Sequence, residues 1–275
     1  GQGTNTVMSQ MAAEALGVPR DRVIVINADT GRTPDSGIQG ASRATYFVGG
    51  AVVAAAANLR AEMLGVAAEL LDHPPDRLTI DGDRIVAEGE AVSLAEVAAE
   101  FDRLGKGRRI RGVFDLSAHF PAESRPEYAP LFVTGAHLAE AEVDLRTGQV
   151  QVLLMVACHD VGRAVNRIDA EGQIEGALVM GLGAALMEEV LPGHTRGFAD
   201  YYMPTIKSMP EIEVILVETP SPFGPFGVKG LGEAAMLPAT PAIINAVSRA
   251  IGHRLRTIPA TPERILAALG EGGAP

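Results

Sequence analysis

Apolar positions recur at helical spacing over residues 4–16, at Val7, Met8, Met11, Ala12, Ala15 and Leu16, and predict a first helix. Gly17 and Pro19 follow, where glycine and proline usually stand beyond a helix C-terminus. Arg22–Asn27 is short and β-branched and predicts a strand. Asp29–Gly40, rich in Asp, Thr, Pro, Ser and Gly, predicts a loop. A long apolar helix is predicted from there to about Leu71. Two short strands are predicted within 76–88 around the turn Asp81-Gly82-Asp83, and Ser93-Leu94-Ala95-Glu96 has the capping-box pattern that opens a helix to about Leu104. Alternation returns in Phe132–Leu145 and Gln149–His159, which Arg146-Thr147-Gly148 joins as a hairpin. Asp169–Val190 predicts a helix carrying Gly172, Gly176, Gly181 and Gly183. Interior glycines each cost about 0.8–1 kcal/mol against alanine, so a neighbour is expected to pack close to this helix. Ala234–Ala250 predicts another helix, and Thr261-Pro262-Glu263 caps a last one with proline in its first turn.

This order of elements predicts a mixed α+β fold with two subdomains, 1–130 and 131–275, each with a small sheet and packed helices. The polar stretch 73–125 reads as scaffold. At 275 residues the chain is long enough for two modest cores. A net charge of −11 argues against a nucleic-acid groove or an anionic membrane as partner. The lone cysteine, Cys158, makes no internal disulfide and by itself holds no iron–sulfur cluster. Cys158, His159 and Asp160 are consecutive on a predicted strand, so their side chains alternate between faces, which is poor geometry for a shared metal or a catalytic thiol. His119 and His137 stand apart from other ligand candidates. No basic segment followed by an apolar run opens the chain, which makes a cytoplasmic protein the expectation. Tyr46–Leu71 and Ile174–Met187 read as buried core helices rather than membrane spans. The start on glycine rather than methionine suggests a processed or excised piece of something larger.

The candidate chemistry lies in small-residue loops at helix starts. Gln2, Gly3 and Thr4 precede the first helix, where exposed N–H groups and the helix dipole suit an anion or the polar edge of a heterocycle; the same residues also serve as N-caps. Gly40-Ala41-Ser42-Arg43-Ala44-Thr45 opens the long apolar helix and adds hydroxyls and an arginine suited to phosphate. Gln173 would face whatever the Gly162–Asn166 loop surrounds. Gly227-Val228-Lys229-Gly230-Leu231-Gly232-Glu233 has three glycines in six residues, a backbone free to approach a ligand, and ends on a carboxylate expected among Leu231, Ala234, Ala235 and Met236. The chain shows no nucleophile–histidine pair and no Cys/His metal set. Such an inventory cradles a large anionic cofactor mainly with backbone groups and places one carboxylate beside it as a base.

These residues resemble the C-terminal half of the molybdopterin-binding large subunit of xanthine dehydrogenases and aldehyde oxidases, a group that includes carbon monoxide dehydrogenase-like enzymes. The resemblance spans nearly the whole chain. It rests on Gly1-Gln2-Gly3-Thr4, Gly40-Ala41-Ser42-Arg43, Gly172-Gln173-Ile174-Glu175-Gly176, and the Gly227–Glu233 motif with Pro241-Ala242-Ile243. It implies that Glu233 is the active-site base beside molybdenum and Gln173 its neighbouring glutamine. It further implies that Gln2, Gly3, Thr4, Gly40, Ala41, Ser42, Arg43, Thr45, Asn166, Val228, Lys229, Gly230 and Gly232 line the cofactor. The metal would be held by the pterin dithiolene, not by side chains.

The implied cofactor is molybdenum–molybdopterin, in bacteria commonly the cytosine dinucleotide form, bound between the two subdomains. The implied reaction hydroxylates an electron-poor carbon of an N-heterocycle, purine or aldehyde with water as oxygen source. Electrons would pass to 2Fe–2S clusters and FAD on partner chains. The other half of the molybdenum subunit, the iron–sulfur subunit and the flavin subunit are then the expected partners. The alternatives are a non-catalytic scaffold subunit of such a complex and a carbon monoxide dehydrogenase-like enzyme. A generic phosphate or nucleotide binder fits less well, since neither a P-loop nor a dinucleotide fingerprint is present. Where the family usually has proline after the asparagine matching Asn166, this chain has Arg167.

Overall fold

The computed structural model describes residues 2–119 and 132–271. Gly1 of the first motif and residues 120–125 of the expected scaffold region lie outside the described residues, as does the side chain of His119. The chain forms two compact units, Gly1–Pro130 with Pro220–Val228, and Leu131–Thr219 with Lys229–Pro275. The division expected at 130/131 does not include the return of Pro220–Val228 to the first unit.

In the first unit, α1 (Thr4–Leu16) and α2 (Gly49–Leu71) pack side by side. They are followed by β1 (Thr79–Asp81), β2 (Arg84–Ala87) and β3 (Glu90–Ser93), and then by α3 (Leu94–Arg103). The strands form an antiparallel sheet in the order β1-β2-β3. Its inward residues Ile80, Ile85, Ala87 and Val92 close a core with Leu64, Val66 and Ala67 of α2 and Val97 and Phe101 of α3. The predicted capping box is present: the Glu96 N–H donates to Ser93 Oγ at 3.1 Å and the Ser93 N–H donates to Glu96 Oε2 at 2.8 Å. Small residues on α2 set the closest approaches. A Cβ at Gly49 would lie 2.7 Å from Met11 Sδ, and one at Gly112 would overlap the backbone of Ala51 and Ala55.

Two expectations fail in this unit. Val23–Asn27 is extended but belongs to no sheet, and Ile24 is 85% exposed. β-branched residues favour a strand only where a ladder partner exists, and no described strand pairs with it. Tyr46–Leu71 is expected to be a buried core helix; the observed helix Ala44–Leu71 is by length and composition able to cross a membrane, and only 22% of its most apolar window is buried. Its C-terminal turns lie on the sheet, while the remainder meets α1 and the Gly112 segment rather than a second apolar layer.

In the second unit, β4 (Gly135–Val143), β5 (Val150–Asp160) and β6 (Glu211–Val217) form a sheet in that order, β4–β5 antiparallel and β5–β6 parallel. A parallel pair needs a crossover, and α4 (Arg167–Leu186) supplies it. A bulge at Glu140/Ala141 shifts the register, so that Val152 and Met155, three places apart, both face the core. Met155, Ala157, Ile174, Leu178, Leu182, Ile243 and Val247 are buried there, joined by Ile265. The last two belong to α5 (Ala239–Ile251) and α6 (Pro262–Glu271). Close approach to α4 is confined to its C-terminal half. A Cβ at Gly181 would overlap Ala239 of α5 and one at Gly183 would overlap Glu188, whereas Gly172 and Gly176 have nothing within 4 Å. The fold is thus mixed α+β, with a three-stranded sheet in each unit.

The β4–β5 turn gives a test of packing. Gly148 has φ +74°, and a Cβ there would overlap the backbone of Pro262 at the start of α6. We expect Gly148→Ala to lower stability by at least about 1–2 kcal/mol, the scale of the left-handed penalty alone. Gly65→Ala, in mid-α2 with nothing within 4 Å, should stabilise by about 0.4–1 kcal/mol. Thermal denaturation of the two variants should therefore move Tm in opposite directions.

Candidate functional site

Within the first unit the structure brings the first two motifs together. Gln2 Nε2 donates to Gln39 Oε1 at 3.4 Å, and the amides of Asn5 and Asn27 are hydrogen-bonded. The N-cap of α1 is Gly3 in the left-handed region, φ 75°, with no side-chain cap. The first-turn N–H groups, starting at Thr4, are therefore not closed off by a capping side chain. In the second motif Ala41 and Ser42 both have positive φ, 56° and 52°. Consecutive left-handed non-glycine residues are costly and persist where the surroundings impose them, often at ligand clamps. Arg43, at φ −79°, then returns to the right-handed region, and successive N–H groups in such a turn form a concavity suited to an anion. Next, Ala44–Val48, which includes Thr45, forms a π-helical turn, a feature frequent at functional sites.

Arg43 is spent on its own loop. Its Nη1 donates to the carbonyls of Ser36 at 2.7 Å and Ile38 at 3.1 Å, and the guanidinium lies 5.4 Å from the centroid of Phe47. It shapes the turn, whose own Arg43 N–H donates to Gly40 O at 3.3 Å. The strap 220–228 packs in the same unit. Ser221 Oγ accepts from the N–H groups of Phe223 and Gly224 and lies 3.2 Å from the Tyr46 hydroxyl, while the Ser221 N–H donates to Gly227 O at 2.8 Å. A Cβ at Gly224 would overlap Val228 O, so glycine is required there. Val228 itself is buried. Burial raises the Tyr46 phenol above its ordinary value, and the bond to Ser221 partly offsets this.

In the second unit the loop Lys229–Glu233 is tied at both ends. The Lys229 N–H donates to Val161 O at 2.9 Å, and its ammonium donates to Asp160 Oδ2 at 2.7 Å. Gln173 Nε2 donates to Gly232 O at 2.7 Å. Gly230 and Leu231 span the interval. Gln173 and Lys229 thus hold the loop that carries Glu233, rather than standing free. Asn166 is the N-cap of α4, its side chain accepting from the Asp169 N–H at 3.1 Å, and Arg167 reaches Glu171 at 2.8 Å one turn on. Asn166 therefore fixes the helix that carries Gln173.

Two expectations about Glu233 are corrected. It lies in a run of turns and not at a helix start, since α5 begins at Ala239. Pro238 has no N–H to give and biases Leu237 away from helix. Nor do Leu231, Ala234, Ala235 and Met236 enclose it: Glu233 is exposed and Met236 is 37% exposed, with Ala235 alone of the four buried.

His137 is not isolated either. Its Nε2 lies 2.7 Å from Nε2 of His159 across β4–β5, the rings edge to face, and both Nδ1 atoms are buried without a partner. Gly135 is opposite His159, and a Cβ there would overlap that imidazole. Burial, with His159 beside it, lowers His137 to about 4, and burial lowers His159 as well. Cys158 faces the opposite side of the sheet from His159, as strand alternation requires.

Residues 1–210 match the family described as molybdopterin cofactor-binding domain. The chain belongs to that family. It is 34% identical over 96% of its length to the 6-hydroxypseudooxynicotine dehydrogenase complex subunit gamma of Paenarthrobacter nicotinovorans, covering 34% of that protein. It is also 34% identical over 96% of its length to the putative xanthine dehydrogenase molybdenum-binding subunit of Escherichia coli K12, covering 36% of it. The structure of quinoline 2-oxidoreductase from Pseudomonas putida 86 superposes with a TM-score of 0.81 at 31% identity, over 98% of this chain and 35% of that one. The chain spans about a third of the length of these relatives.

The residues of this molybdopterin-binding chain fit such a cofactor. A pterin phosphate needs anion-binding N–H groups, and the start of α1, whose Gly3 N-cap has no side-chain cap, offers them. A bulky heterocycle needs close backbone approach, which the small residues of these loops allow. Among the described residues no group of three or more His, Cys, Asp or Glu could hold a metal, and a metal carried on a pterin dithiolene asks for none. The sequence missed Asp160 and the Tyr46–Ser221 contact because their partners lie 69 and 175 residues away. The one local signal was a buried-strand aspartate flanked by His159 and Val161.

The histidine pair fixes a pH dependence. Both imidazoles are held neutral in the fold, so the unfolded chain binds more protons below its ordinary value of 6.5. Their contribution is fully present above 6.5 and is lost as pH falls toward about 4. In the intact protein, the fall in Tm between pH 7 and pH 4.5 should be shallower for His137→Leu than for the wild type. Parallel curves would remove the pair as a source of acid sensitivity.

Proposed function

We propose that this chain is part of the molybdenum-cofactor subunit of a molybdenum hydroxylase, with Glu233 as the catalytic base. The enzyme would hydroxylate an electron-poor carbon of an N-heterocycle, purine or aldehyde with water as oxygen source. Electrons would then pass to iron–sulfur and flavin partners. The observation that carries this reading is the fixed loop ending in Glu233, pinned by Gln173 at Gly232 and by Asp160 and Val161 at Lys229. A general base must be held within hydrogen-bond reach of the proton it removes, and a loop tied on both sides of its glycines keeps the position of such a carboxylate defined. The names of the relatives support the substrate class, since xanthine and quinoline are both nitrogen heterocycles.

The bound cofactor supplies the two-electron redox chemistry, and the chain supplies placement and proton transfer. Gln2, Gly3, Thr4, Gly40, Ala41, Ser42 and Thr45 would hold its anionic and polar groups through backbone N–H and short side chains, with Arg43 setting the shape of the turn. Val228, Gly230 and Gly232 would let the backbone run close to the pterin. Asn166 and Gln173 would hold the part of the second unit that carries Glu233. Glu233 would take the proton released when water becomes the new hydroxyl, and return it to solvent. A cytosine dinucleotide form of the cofactor is the form this reading favours.

In the assembled enzyme, Glu233→Gln should keep its molybdenum by elemental analysis and lose turnover by roughly 10²–10⁴-fold, the usual range for a general base. Full metal content with near-normal turnover would remove Glu233 from that role.

A further inference from the structure

We propose that Asp160 is the positioning residue for Glu233, acting through Lys229. The inference rests on the assignment of Glu233 as base. Asp160 ends β5 and is 8% exposed. Its Oδ1 accepts from the Gly162 N–H at 2.9 Å and from the Thr219 N–H at 3.1 Å, and its Oδ2 accepts from Lys229 Nζ at 2.7 Å. One carboxylate therefore joins the exit of β5, the exit of β6 and the glycine loop. Burial alone pushes the Asp160 carboxyl up, but the Lys229 ammonium and the N–H groups of Gly162 and Thr219 outweigh it and hold it below the usual carboxylate range.

The arrangement has a direction. Val161 continues the parallel ladder by donating its N–H to Val217 O at 2.9 Å and accepts from the Lys229 N–H at 2.9 Å. Asp160 and Val161, adjacent in sequence, thus grip the side chain and the main chain of the same lysine. Three residues, Gly230, Leu231 and Gly232, separate Lys229 from Glu233 in the sequence, and the two glycines give that interval little stiffness of its own. The Gln173 bond fixes the far end at one carbonyl. Leu231 packs against the core and Ala235 is buried in it, so release of the near end loosens the start of the loop rather than the whole of it, and small displacements of a catalytic group cost large factors in rate. Asp160 and Lys229 are largely shielded from solvent, with side chains 10% and 19% exposed, so solvent screening weakens this pair little. Lys229, by its sequence position a cofactor ligand, here serves the chain.

The test uses the molybdenum-loaded assembled enzyme and a double-mutant comparison. Asp160→Asn keeps the shape and an acceptor for the two N–H groups but removes the charge that holds Lys229. It should keep molybdenum content and KM within twofold, lower kcat about 10–100-fold, and speed hydrogen exchange in the peptide covering 229–236 while the β4–β5 peptides stay protected. Added to Glu233→Gln, it should cost less than a further twofold, because a residue that acts through the base has nothing left to position. A general defect would lower both backgrounds equally, and that additive result would overturn the proposal. So would unchanged exchange in 229–236. If Asp160→Asn does not accumulate, Lys229→Gln is read in the same two ways. Normal turnover in Glu233→Gln alone would instead reject the base assignment and leave the exchange result to report on the clamp itself.

Discussion

The interaction on which the second unit turns is the buried ion pair between Asp160 and Lys229. Removing a carboxylate and an ammonium from water costs several kcal/mol per ion, and their attraction offsets this only where the remaining lone pairs are also satisfied. Asp160 meets that condition with two backbone donors besides the lysine. The pair works together with hydrophobic packing. Leu231 packs against the core of Met155, Ala157, Ile174 and Ile243, and Ala235 is buried in it. The charge pair fixes the start of the loop, ahead of these apolar contacts. Breaking it from one side leaves a buried charge unpaired, at a cost of about 3–5 kcal/mol, so a loop of glycines can follow a defined course.

The first unit solves the same problem without a buried ion pair. Its loops are fixed by backbone conformation and small side chains: consecutive left-handed residues at Ala41 and Ser42, a left-handed cap at Gly3, and Gly224 set against Val228 O. The π-helical turn 44–48 places Tyr46 against Ser221, and the aromatic contacts of Tyr46, Phe47 and Phe114 brace it from behind. Gly50, over which Phe114 lies, admits that ring only because it lacks a Cβ. The strained turn at Ala41 and Ser42 is thus followed directly by a packed aromatic layer.

Elements that carry their own local signal were legible in the sequence. The capping box at Ser93, the 146–148 hairpin, the proline-started last helix and the long alternating strands all rest on interactions within a few residues, and all are present. Val23–Asn27 was misread because β-propensity says nothing about whether a partner strand exists. The helix behind Glu233 was placed too early because apolar spacing outweighed Pro238 in the reading, whereas in the chain the missing N–H decides. His137 was taken as isolated because its partner is 22 residues away across a hairpin whose register the bulge alters. The glycine loops stand out in the sequence by composition. What each polar residue does in them depends on partners far along the chain, and no local pattern records these.

That last difference bears on how the site works. The two cations that the motifs would assign to an anionic ligand, Arg43 and Lys229, are both engaged by the protein itself, one by carbonyls and the other by a carboxylate. A chain of net charge −11 repels an anionic cofactor at long range, and free lysine or arginine side chains would be the simplest remedy. Oriented N–H groups are an alternative with a different property. They act only at contact and cannot swing away, and they recognise the position of an oxygen more than the total charge. With the cations holding the loops, a ligand bound as proposed would be gripped by shape rather than by charge. This suits a cofactor that must stay in one orientation while protons and electrons leave it.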